Sequence, residues 1–391
     1  TVRVSWARRH PLAFGVLLVV AGVVLAAVLL LLTPLFDDDL SAVQAPSEPN
    51  YETAQGLADD LRSADGPQVN EVCRSRVYDR GERADVAVVL LHGYTNCPQQ
   101  WDDIAQAYVD AGYNVVVPRL PGHGEADRLT SALSDVTPRA LVQTTDLAVD
   151  IAAGLGDEVW VAGLSGGGTL AGWAGAERDA VTRAVLLAPL VVPKVVPEVL
   201  VGPLSRAFRF GPDIPLWWDG EKRESLASPP YAYPRYTLRS LGAFLAVGRA
   251  VLGADATRAQ PLETLTLITN ENDNAISNSG AVELADAVQE VSSGSAVDRQ
   301  DYVFDASLQY RHDVVDPQGE NAEQIDDIYP VIGPYLGLDG LTGLWADGPA
   351  GQPEPSTTTS WPGSQVTAHG KTTVNRRSTR SPTRTVASTT L

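Results

Sequence analysis

Residues 159–168, V-W-V-A-G-L-S-G-G-G, restrict the possible folds more than any other part of the chain. Four apolar residues (Val159, Trp160, Val161, Ala162) lead into Gly163-Leu164-Ser165-Gly166-Gly167, and a helix-compatible stretch, 169–176, follows. That is a strand, a sharp corner and a helix in order, with the G-x-S-x-G pattern at the corner. Side chains two residues either side of such a corner would strike the strand and helix it joins, which explains glycine at 163 and 167. A serine there sits on strained backbone, beside the free N–H groups and positive dipole end of the helix. Negative charge developing next to Ser165 would be stabilised. Five matching residues alone arise often by chance, so the surroundings must carry the weight.

The surroundings keep one rhythm. Residues 86–91, 114–117, 158–163, 181–187, 264–269 and 302–304 read as strands, and 51–64, 98–111, 138–154, 169–178, 280–290 and 321–336 as helices. Unbroken Val/Leu runs indicate strands buried on both faces. The expected class is therefore α/β, a mostly parallel sheet flanked by helices. Residues 190–261 break the rhythm with many prolines and aromatics. They are expected to form a lid over the strand ends, with Trp217, Trp218, Tyr231 and Tyr233 lining an apolar substrate pocket. These aromatics would otherwise form the insertion's own small core.

The ends differ from the body. Residues 11–32 carry no charge and as a helix would span about 33 Å, enough for a bilayer core. Arg8 and Arg9 precede them and Asp37, Asp38 and Asp39 follow. The positive-inside rule then predicts a cytoplasmic segment 1–10, a transmembrane anchor 11–33, a stalk 34–50 and an extracytoplasmic domain 51–346. The competing prediction is a cleaved signal peptide and secretion, but the apolar run is long for one. Residues 347–391, rich in Pro, Ser and Thr and net basic, are expected to be a disordered tail. The chain as a whole carries a formal charge of −19, which speaks against nucleic acid as a partner. Cys73 and Cys97 flank the first buried strand and, outside the cytoplasm, are expected to form a disulfide. Two cysteines without a nearby histidine pair fall short of a zinc set, so no metal is expected.

Nucleophilic acyl transfer needs a base for the serine, an acid to orient the base, and oxyanion donors. There are five histidines. His10 precedes the anchor and His369 is in the tail. His92 follows a buried strand in Leu91-His92-Gly93-Tyr94 and is expected to organise that turn, and His123 lies in a Pro-Gly-His-Gly turn. His312, in a polar loop after the last predicted strand, remains as the base. The acid is expected after the penultimate strand, within Asn270-Glu271-Asn272-Asp273. Strand spacing favours Asp273, and Glu271 stays open as its rival. The oxyanion donors would be the backbone N–H groups of Tyr94 and Gly166.

Leu91-His92-Gly93-Tyr94, residues 119–124 (R-L-P-G-H-G) and Gly163-Leu164-Ser165-Gly166-Gly167, followed by Asp273 and His312, resemble the α/β-hydrolase fold over about 84–336. Within it the chain resembles the carboxylesterase and monoacylglycerol-lipase-like branch of serine hydrolases. The resemblance implies Ser165 as nucleophile, His312 as base, Asp273 as acid, Tyr94 and Gly166 as oxyanion donors, and no metal or organic cofactor. It implies a serine esterase or lipase acting on a small ester or lipid. Glycine at 166, where many relatives carry a bulkier residue, is expected to widen the acyl site. The same constellation serves amide hydrolysis and acyl transfer. Loss of a triad member would signal an idle binding module, and none is missing. Dehalogenases and epoxide hydrolases of this fold carry a carboxylate where Ser165 stands.

Overall fold

Buried β-strands set the architecture. In the computed structural model, which describes residues 10–32, 40–42, 49–221, 223, 229–254, 261–292 and 296–338, seven strands form one sheet. In chain order the helices α1 (Pro11–Leu32) and α2 (Tyr51–Ser63) precede the strands β1 (Arg76–Tyr78) and β2 (Ala84–Leu91). Then come α3 (Asp102–Asp110), β3 (Asn114–Val117), α4 (Pro138–Leu155), β4 (Gly156–Leu164), α5 (Gly166–Glu177) and β5 (Val181–Leu187). The insertion holds α6 (Val201–Phe210), β6 (Pro215–Trp217), β7 (Arg235–Thr237) and α7 (Leu238–Leu252). The chain returns to the sheet with β8 (Thr264–Asn270), α8 (Asn278–Val291), β9 (Asp298–Phe304) and α9 (Ile325–Ile332).

The strand order is β1-β3-β2-β4-β5-β8-β9. Every neighbouring pair is parallel except β1 with β3. Residues Val86 to Leu91 of β2 and all four of β3 are buried, as expected of strands covered on both faces. Each valine or leucine among them contributes about 1.5–3 kcal/mol on burial. Helix starts follow local chemistry. Asn50 caps α2 by accepting from the Thr53 N–H at 2.8 Å, and Thr137 caps α4, with Pro138 at the first helical position. α2, the helix expected over 51–64, packs against α4.

Three expectations change in detail. The helix over 98–111 is a 3-10 turn, Pro98–Trp101, followed by α3. The helix over 321–336 is three pieces: a 3-10 turn Ala322–Gln324, α9 with Pro330 inside it, and a second 3-10 turn that Pro334 opens after α9 ends. The short strand at 302–304 extends back to Asp298, its polar side chains suiting an edge.

α1 matches the apolar run and presents Leu12, Val16, Leu17 and Val19 to its surroundings. Among the described residues no helix is long and apolar enough to cross a membrane. Within α1 the side chains at 11, 26–27 and 30–32 lie outside the description, so its longest described stretch is 12–25. The expected tail, 347–391, lies wholly outside the described residues, as do 34–39 and 43–48 of the expected stalk. Leu40 is buried, and its carbonyl accepts from the Trp173 indole N–H on α5 at 2.8 Å.

Candidate active site

Ser165 occupies the corner between β4 and α5 at φ 57°, ψ −115°. The strain is held by backbone bonds: its N–H donates to the Leu187 carbonyl at 2.8 Å, and its carbonyl accepts from the N–H groups of Thr169 and Leu190 at 3.0 Å. The two flanking glycines are sterically required. A Cβ at Gly163 would lie 2.1 Å from the Gly167 carbonyl oxygen, and one at Gly167 would lie 1.9 Å from the Leu91 oxygen.

β8 and β9 bring in the second part. Asp273 follows β8 and is almost fully buried. Its Oδ1 accepts from the N–H groups of Ala275 and Ile276, at 2.8 and 2.9 Å, and its Oδ2 meets His312 Nδ1 at 2.6 Å. Glu271, the rival carboxylate, is exposed and accepts from the Ala306 N–H at 2.8 Å. Burial disfavours the imidazolium of His312, yet the Asp273 charge and hydrogen bond outweigh it and raise the histidine above its ordinary pKa. Burial likewise opposes the Asp273 carboxylate, but His312 and the two backbone donors hold it below the usual range. With Nδ1 committed to Asp273, Nε2 is the nitrogen left for proton exchange. It is buried and has no hydrogen-bond partner among the described residues.

The turn after β2 supplies the third part. Neither the Tyr94 nor the Gly166 backbone N–H finds an acceptor among the described residues. The turn itself is pinned from behind. Gln100, on the 3-10 turn, accepts from the Gly93 N–H at 2.7 Å and donates to Asp313 Oδ2 at 2.8 Å. One buried amide thus joins the turn before Tyr94 to the residue after His312. Sequence reading missed Gln100, since its partners lie 7 and 213 residues away.

His92 accepts the Leu120 N–H on Nε2 at 3.0 Å, with Nδ1 3.0 Å from the Gly93 carbonyl. Burial holds His92 well below its ordinary pKa and takes His123 down to about 4, so both are neutral at pH 7. His10 lies just before α1, and His369 is outside the described residues.

The four insertion aromatics are divided. Trp218 donates to the Thr95 hydroxyl at 2.9 Å and stands 5.9 Å, ring to ring, from Tyr94. Trp217 lies under the Arg223 guanidinium. Tyr231 packs with the Cys73–Cys97 disulfide and donates to Asp316 at 2.5 Å. Tyr233 stacks on His123, and its hydroxyl donates to the Gly122 carbonyl and accepts from the Glu125 N–H. Both tyrosine hydroxyls are engaged in fastening the insertion to the sheet. The expected widening at Gly166 is absent: a Cβ there would lie 2.7 Å from the ring of Phe244, which α7 places in that space. The described residues contain no group of three or more His, Cys, Asp or Glu side chains arranged to hold a metal ion.

A sequence profile of the alpha/beta hydrolase family matches residues 88–317, from the first buried strand through the His312 loop. The chain belongs to the alpha/beta hydrolase family. A curated member, the thermostable monoacylglycerol lipase of Bacillus sp. (strain H-257), is 49% identical over 43 residues. Those residues are 11% of this chain and 17% of that relative, so the match spans under a fifth of its length. Among solved structures, one reported for the metagenome-derived lipolytic enzymes LipS and LipT superposes with a TM-score of 0.50 at 17% identity. It covers 71% of this chain and 99% of its own. A soluble variant of monoglyceride lipase from Saccharomyces cerevisiae, in complex with a substrate analogue, also gives 0.50, at 11% identity over 70% of this chain and 90% of its own. Similarity at these identities establishes the hydrolase fold.

Proposed function

We propose that the protein is a membrane-anchored serine esterase or lipase that cleaves carboxylic esters through Ser165, His312 and Asp273. The observation that carries the reading is the buried Asp273–His312 pair, set at the strand ends of a sheet that also holds Ser165 on strained backbone. His312 Nε2 takes the Ser165 proton as Oγ attacks the ester carbonyl, and Asp273 stabilises the resulting imidazolium. The N–H groups of Tyr94 and Gly166 receive the oxyanion, with the dipole of α5 adding to the field. Return of the proton to the leaving alcohol gives an acyl-enzyme. Water activated by the same histidine then releases the acid and restores Ser165.

An apolar acyl or lipid-like substrate is favoured by the aromatic group of Tyr94, Trp218, Tyr236 and Phe244 beside the donors. Membrane anchoring through α1 is favoured by its uncharged sequence and by the exposed apolar side chains Val199, Leu200 and Phe210 around α6, the helix beside which α1 packs. An extracytoplasmic domain accords with the disulfide.

The test is fluorophosphonate labelling of the full chain in non-ionic detergent, with peptide mapping and p-nitrophenyl ester turnover, in wild type and Ser165→Ala. Adduct on Ser165 and loss of turnover in the variant are expected. A folded wild type that takes no label would defeat the reading. Hydroxylamine trapping of acyl groups separates hydrolysis from transfer to another acceptor. Carbonate extraction and protease protection in intact cells test anchoring and side.

A further inference from the structure

Away from Ser165, strand β7 has a second wall. Its alternation sends Tyr236 toward Tyr94 and Trp218, at ring distances of 5.9 and 4.2 Å, while Arg235 and Thr237 line a separate cavity of about 280 Å³. Arg128, Arg239, Thr130 and Ser134 line the same cavity.

Arg235 and Arg239 line it together with the carboxylate of Asp213. Asp213 has a local task, accepting the Arg239 backbone N–H at 3.1 Å in the first turn of α7. Arg128 donates to the carbonyls of Ala232 and Pro229. Arg235 donates to the Leu129 carbonyl and, at 3.4 Å, to that of Thr130. Among the described residues Arg239 makes a 3.5 Å side-chain contact to the Ser134 carbonyl, and its buried Nε has no partner there. Neither Arg235 nor Arg239 forms an ion pair among the described residues. An orphaned guanidinium donor is costly in a folded protein and is a common mark of a site for an acceptor.

We infer that this cavity binds a phosphoryl group, held by Arg239 and Arg235 with the Thr130 and Ser134 hydroxyls. A guanidinium fork matches two oxygens of a phosphoryl group, and hydroxyls suit the third. The leading N–H groups of α7 are already bonded to Ile214, Asp213 and Thr237, so side chains do the holding. The ligand is a phosphate monoester or diester, free or as a lipid headgroup. Because the Thr237 carbonyl accepts the Tyr94 hydroxyl at 2.9 Å, the bound group stiffens a strand that adjoins the oxyanion turn. The site stands independently of ester hydrolysis, and its test uses no turnover.

Thermal unfolding of the full chain in non-ionic detergent is followed against inorganic phosphate, glycerol 3-phosphate and the ether lipid di-O-hexyl phosphatidylglycerol, which has no carboxylic ester, at ionic strength held constant with sodium chloride. A saturable rise in Tm with at least one probe is expected, with apparent affinity lowered about tenfold or more in Arg239→Gln and partly retained in Arg239→Lys. Preference for the first two probes identifies a soluble ligand, and preference for the third a headgroup. Arg235→Gln provides a second variant should Arg239→Gln fail to fold. No saturable shift with any probe, or an equal shift in wild type and folded variants, would overturn the assignment.

Discussion

Replacing Gln100 by leucine tests the link between the Gly93–Tyr94 turn and the His312 loop. The side chain is 2% exposed, and the two residues are close in volume, so packing is largely kept. What is lost is the acceptor for the Gly93 N–H and the donor to Asp313. The Gly93 donor is buried, and leaving it unpaired costs about 1–3 kcal/mol. Asp313 is half-buried and recovers water, so its loss is smaller. A total of about 2–3 kcal/mol corresponds to a fall in Tm of roughly 3–5 °C for a domain this large. On the proposed mechanism kcat falls more than KM rises, because the freed turn supplies the Tyr94 donor used in the transition state. Gln100→Glu restores the acceptor but sets a second carboxylate against Asp313, so any rescue is greater at low pH. Thermal unfolding and p-nitrophenyl acetate kinetics measure both effects. A leucine variant as stable and as active as wild type would refute the coupling.

Since Asp273 raises His312, the basic form that the proposed mechanism requires accumulates only as pH rises through a value above the ordinary 6.5. The acid limb of kcat/KM is therefore expected above 6.5 and moves lower in Asp273→Asn, whose kcat falls by on the order of 10³–10⁴. Gly166→Ala drives a methyl into Phe244 and is expected to destabilise by about 1–3 kcal/mol, with partial recovery in the Gly166→Ala, Phe244→Leu double variant, read by chemical unfolding. Replacing Cys73 and Cys97 together by serine opens a 24-residue loop and is expected to cost about 2–4 kcal/mol, read by denaturant midpoint.

The sheet and the Ser165 corner were legible because their signals are local. Continuous Val/Leu-rich runs mark β2 and β3, and two obligatory glycines mark the turn. Asp273 and His312 emerged from topology and the scarcity of histidine, with strand spacing favouring Asp273 over Glu271. The insertion resisted reading for the opposite reason. Its aromatics carry no period, and Trp218 and Tyr231 look alike in sequence while one adjoins the oxyanion turn and the other contacts a disulfide. Gly166 gave a false cue, since the space left by its missing side chain is taken by Phe244 from 78 positions later in the chain. β1, three residues of half-buried edge, is too short to announce itself.

The Trp173 bond to Leu40 has a consequence for reach. It fastens the chain to the helix that starts beside Ser165, only eight residues after the end of α1. Fully extended, such a leash is roughly 28 Å long, less than the width of a hydrolase domain. With α1 embedded in a bilayer, the domain is tethered against that surface rather than free to swing above it. Encounter with esters dissolved in the same leaflet then becomes a two-dimensional search, and lengthening the leash should slow hydrolysis of membrane-resident esters while leaving soluble ones untouched.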